Sequence, residues 1–135
     1  MSETNLDALR RILAFAAVVE VGTGLVLIVD PVIVVRLLLG ARVSGVATLL
    51  GRCFGIALLA LGLACRPGRQ RAGSGWPAFR AMLTYNTLIA LYLAYLGTLG
   101  NARGLLLWLG VALHAVVALL LVWTWRDQRR IKATN

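Results

Sequence analysis

The chain has 135 residues, 60% of them apolar and only 14% charged, with positive mean hydropathy. A soluble domain of this size carries roughly 25% charge and roughly 45–50% apolar residues, so the excess points to lipid and leaves no room for a second, soluble domain. The net charge of +9, fourteen basic against five acidic residues, raises nucleic acid as a partner, but a nucleic-acid reader gathers its basic residues on a folded face with stacking aromatics. Here they lie in short stretches beside apolar runs, and membrane topology accounts for them with no nucleic acid.

The first apolar run, Ile12 to Val29, is interrupted only by Glu20, Thr23 and two glycines. Asp7, Arg10 and Arg11 precede it, and no clean small-residue cleavage pair follows, so a retained anchor is expected rather than a cleaved signal. Asp30-Pro31 ends this helix and also suits the cap and first turn of a new one. Pro31 to Leu39, with Arg36 among Val, Ile and Leu, reads as a short segment lying in the outer interface.

Val43 to Cys65 is the second run, interrupted by Arg52. Its Cys53 and Cys65 are separated by roughly 18 Å at 1.5 Å per residue, too far for a disulfide, and both are expected as buried thiols. The glycine- and arginine-rich stretch Arg66 to Pro77 reads as a connector. Its glycines make no phosphate loop, since no Lys-Ser or Lys-Thr follows them. Phe79 to Leu99 is the third run, carrying Thr84, Asn86 and tyrosines. Gly100 to Gly104 is a tight turn into the fourth, Gly104 to Trp125, which contains His114.

Each run approaches the ~20 residues that cover a ~30 Å hydrocarbon core, and continuous apolarity excludes a barrel strand. The predicted fold is all-α: an integral membrane antiparallel four-helix bundle forming one domain over residues 1–135. Ten basic residues (Arg10, Arg11, Arg66, Arg69, Arg71, Arg80, Arg126, Arg129, Arg130 and Lys132) fall on one side, against Arg36, Arg42 and Arg103 on the other. The positive-inside bias then puts both termini and the central connector in the cytoplasm. Trp76, Trp123 and Trp125 mark the inner interface and Trp108 the outer one. Anionic headgroups are the expected contacts of the basic residues.

Each run carries one strongly polar residue: Glu20, Arg52, Asn86 and His114. Counted from the helix ends, all four lie roughly 12 to 20 Å deep. A charge at the bilayer centre costs roughly 2.5–3.5 kcal/mol, so the four are expected to point inward as one buried polar cluster, with Glu20 and Arg52 as an ion pair. Small residues three or four positions away support close packing there. Gly24, Gly51, Gly55 and Gly110 are the predicted helix-packing positions, Gly51 and Gly55 in a small-xxx-small spacing.

Catalytic motifs are missing. The sequence has no His-Glu-x-x-His, no serine elbow, no Cys-x-x-Cys and no paired acidic motif, and one histidine alone makes a poor metal site. No catalytic residue, metal or cofactor is expected.

The order Gly22-Thr-Gly24-Leu, Asp30-Pro31, a short apolar segment, Gly51-Arg52 to Gly55 and Leu61-Gly-Leu63 is similar to small four-helix bacterial inner-membrane proteins of the DoxX-like kind. That resemblance implies a polytopic bacterial membrane protein, some members looking like accessory subunits of membrane oxidoreductases. Val19-Glu20-Val21-Gly22-Thr23 also resembles the first helix of small multidrug resistance transporters, where a membrane glutamate binds protons or a cationic drug. The expected function is a non-enzymatic accessory or scaffolding subunit, in a homo-oligomer or a larger membrane complex. The rival is a small oligomeric proton-coupled transporter using Glu20 and His114, against which stands Arg52 as a neutralising partner for the carboxylate.

Overall fold

The computed structural model describes residues 3–67 and 75–133, with side chains described over 7–67 and 76–127. Among the described residues the chain is all-helical: α1 (Glu3–Val29), α2 (Pro31–Leu39), α3 (Val46–Ala64), α4 (Gly75–Thr98) and α5 (Leu107–Ala133). Arg69 and Arg71 of the expected connector lie outside the described residues.

The α1–α2 break follows the expected chemistry. Asp30 caps α2, its carboxylate accepting from the Val32 and Ile33 amides at 3.0 and 3.3 Å, and Pro31 occupies the first turn, where a missing amide hydrogen costs nothing. Gly40 closes α2 at φ 74°, a left-handed conformation that favours glycine.

Among the described residues, three stretches are long and apolar enough to cross a membrane: 7–29 in α1, 46–64 in α3 and 107–127 in α5. The helix α4 has comparable length, 24 residues, but Thr84, Tyr85, Asn86, Tyr92 and Tyr95 lower its hydropathy. The turn expected at residues 100–104 is wider than read, since α4 stops at Thr98 and α5 starts at Leu107. Two backbone hydrogen bonds, Arg103 N–H to Leu39 O (3.2 Å) and Leu106 N–H to Leu37 O (2.8 Å), tie this connection to the end of α2. Asn101 takes a left-handed φ of 56° there, a region Asn tolerates.

Two antiparallel pairs build the molecule, α1 with α3 and α4 with α5, and α1 joins them by touching α5 and α4. Glycine sets the closeness of the first pair. A Cβ on Gly24 would fall 2.7 Å from the Gly55 carbonyl, and one on Gly62 would fall 2.8 Å from that of Ala17. Backbones in such contact gain packing without the hydrophobic drive that lipid removes. Between the pairs lies an apolar core of Leu13, Ala16, Ala17, Phe79, Met82, Val117 and Leu121. Cys65 joins this core, whereas Cys53 is exposed on α3, against the expectation that both thiols are buried.

Candidate functional site: a buried carboxyl beside the single histidine

Above that core, α1, α4 and α5 bring Glu20, Asn86 and His114 together. Glu20 and Asn86 are each 1% exposed, and the His114 side chain is 13% exposed. The positions follow from helix geometry. On α1, Ala17, Val21 and Gly24 face α3, and Glu20 sits on the adjoining face, toward α4 and α5.

The amide of Asn86 orders the site. Its Nδ2 donates to the Met82 carbonyl one turn back at 2.9 Å, which leaves Oδ1 as an acceptor. His114 Nδ1 lies 2.8 Å from that oxygen, so Nδ1 carries a proton, and when the ring is neutral its lone pair is on Nε2. Tyr85 completes the group. Its ring meets the imidazole edge-on, with centroids 5.9 Å apart, and its phenol interacts with the Glu20 carboxyl.

Glu20 differs from the other buried polar groups. Thr124 is satisfied by the Leu121 carbonyl at 2.8 Å and Asn86 by its two neighbours, but Glu20 Oε1 is buried without any hydrogen-bond partner. Its ion-pair neighbour is His114 Nδ1 at 4.0 Å, inside Coulombic reach and beyond hydrogen-bonding distance. At 4 Å two unit charges interact by about 4 kcal/mol at an effective dielectric of about 20. Charges on both groups at once would therefore favour each other.

Arg52 does not belong to the cluster, contrary to the expected Glu20–Arg52 pair. It is exposed, at the edge of the α3 face on which Gly55, Leu58 and Gly62 are buried. It lies six residues beyond Val46, about 9 Å from that end of the helix, and helical side chains lean toward the N-terminus. An arginine this near a helix end can carry its guanidinium outward along its long side chain.

Among the described residues no group of three or more His, Cys, Asp or Glu is placed to hold a metal. Tyr85 is not among the expected polar residues, although its position carries a signal. A tyrosine six residues past Phe79 lies too deep for an interfacial belt, and a buried phenol needs a partner. Of the expected packing glycines, Gly24 and Gly55 lie against backbone, whereas Gly110 meets only side-chain ends. Gly51 abuts Pro31, Gly55 abuts Gly24, and Gly110 faces Leu38 and Leu93.

Comparison with known proteins identifies no relative: no family model, no curated protein and no solved structure matches this chain.

Proposed function

We propose that this chain is a bacterial inner-membrane protein of four antiparallel spans, α4 included, in which Glu20 and His114 hold one proton between them. This is the core of a small proton-coupled transporter, not of an enzyme. The observation that carries the reading is the buried, unpartnered Oε1 of Glu20 set 4.0 Å from His114 Nδ1 with Arg52 elsewhere. A structural ion pair leaves no acceptor orphaned, and the neutralising arginine that stood against a transporter is out of reach.

With one proton the pair is neutral overall, as carboxylic acid with imidazole or as carboxylate with imidazolium. Either form avoids the large cost of a lone charge in a dry interior. In the first form Nδ1–H serves Asn86, across the 2.8 Å contact. In the second, the carboxyl has released its proton and one has been taken up at Nε2, by exchange through water or solute rather than by direct transfer, and a modest shift of the ring brings Nδ1–H from Asn86 onto Oε1. The two helix pairs supply two bodies that can move against each other across the less extensive α1 contacts with α4 and α5.

The ten-to-three distribution of basic residues supports cytoplasmic termini, and the pattern similar to DoxX-like proteins supports the bacterial setting. Oligomerisation would complete a path that one copy of this size does not line by itself.

The test uses proteoliposomes holding a pH-reporting dye, challenged with a panel of solutes under an imposed proton gradient. Solute-dependent proton movement that disappears in Glu20→Gln is expected. Movement retained in Glu20→Gln, or absent with every solute, contradicts the transporter. The accessory-subunit reading keeps one observation in its favour: α3 leaves Leu49, Leu50, Phe54, Ile56 and Leu63 exposed beside Arg52, a face that a partner could cover. Co-purification from native membranes with a stoichiometric partner would support it.

A further inference from the structure

The opposite end of the α4–α5 pair holds a cleft of about 440 Å³, lined by Trp76, Phe79, Arg80 and Leu83 of α4 and Trp125 of α5. That volume falls in the range of about 300–1,000 Å³ typical of small-ligand sites. Its chemistry is divided. Phe79 is buried at its base, with Trp76 packed edge-on at 5.3 Å, while Arg80 and Trp76 are exposed at its rim. Below it, Met82 and Leu121 are fully buried and close it off from the Glu20–His114 site.

We infer that this cleft binds an anionic glycerophospholipid, with an acyl chain between the two tryptophans and the phosphate on the Arg80 guanidinium. The reading rests on the membrane placement proposed above but not on the proton site. Three features select this occupant. The cleft lies near the ends of α4 and α5, where tryptophans mark the level of the headgroups. A guanidinium matches a phosphate geometrically, and the apolar walls match a chain rather than a free anion. The surrounding charge is also of the right sign, since Arg126 is exposed next to Trp125. Asp127 lies two residues past Trp125, about 200° around α5 and so on the far side of the helix from the cleft.

The test is tryptophan quenching in vesicles of phosphatidylcholine with a small fraction of brominated phosphatidylglycerol or brominated phosphatidylcholine. The full chain carries Trp108→Phe and Trp123→Phe, which leaves Trp76 and Trp125 as reporters. The site predicts that the anionic lipid associates about fivefold more strongly than the zwitterionic one. In Arg80→Gln that preference falls to near unity with thermal stability unchanged, and in Arg126→Gln it persists. Equal quenching by both lipids in the parent overturns the site while still reporting insertion, so the membrane placement survives that failure. An equal loss in Arg126→Gln assigns the preference to diffuse charge and overturns it too. Competition by soluble glycerol phosphate would reduce the site to a free-phosphate site. Quenching relieved by raising the protein-to-lipid ratio would assign the cleft to a second copy of the chain.

Discussion

The amide of Asn86 is spent at both ends, donating to Met82 and accepting from His114, so it fixes the tautomer of the imidazole beside Glu20. Asn86→Leu leaves His114 Nδ1–H without its acceptor, and a loss of about 1–3 kcal/mol is expected in thermal unfolding in detergent. Arg52→Met provides the contrast. A buried ion pair with Glu20 would make the change cost roughly 3–5 kcal/mol, whereas an exposed guanidinium predicts a change within about 0.5 kcal/mol. Three of the four polar positions were legible because burying a carboxylate, an amide or an imidazole is cheap only when they meet one another. Arg52 was not, because the same cost rule ignores the reach of a long side chain toward the helix end. Tyr85 was legible too, because its depth separates it from the interfacial aromatics and a buried phenol needs a partner.

At the level of elements, the α1–α3 contact is written in glycine. Gly55→Ala places a methyl group 2.8 Å from the Gly24 carbonyl and 2.9 Å from the Ile28 amide, both backbone atoms that cannot step aside. Overpacking of this kind is expected to cost about 1–3 kcal/mol in detergent melts. Gly22→Ala meets nothing within 4 Å, and the better helix former should leave stability unchanged or raise it by up to about 1 kcal/mol. Gly24 and Gly55 could be read from their spacing to the polar residues. Gly62 could not, because a glycine flanked by leucines in an apolar run carries no sign of the backbone that will lie against it. The start of α2 was readable to the residue, since Asp-Pro has few other uses. The α4–α5 connection was not, because its length is set by docking onto the end of α2 rather than by its own turn residues.

For the whole molecule, the arrangement of two helix pairs joined through α1 makes α4 the test of topology, since its tyrosines and Asn86 hold its hydropathy down while its packing partner α5 is fully apolar enough to span. With Cys53 and Cys65 replaced by Ala, Asn101→Cys should react with an impermeant thiol reagent from outside, and Asp7→Cys only after permeabilisation. Protection of Asn101→Cys would remove α4 from the membrane. The central claim, that Glu20 and His114 hold one proton in common, has an unusually direct readout because the chain contains one histidine. Nitrogen-15 spectra of the imidazole, recorded across pH in bilayers alongside the carbon-13 signal of the glutamate carboxyl, report both partners once Glu3→Gln leaves Glu20 as the single glutamate. An Nδ1–H tautomer, transitions shared by the two signals and an imidazole titration displaced in Glu20→Gln are expected. An imidazole that titrates identically with and without the carboxylate would contradict that claim.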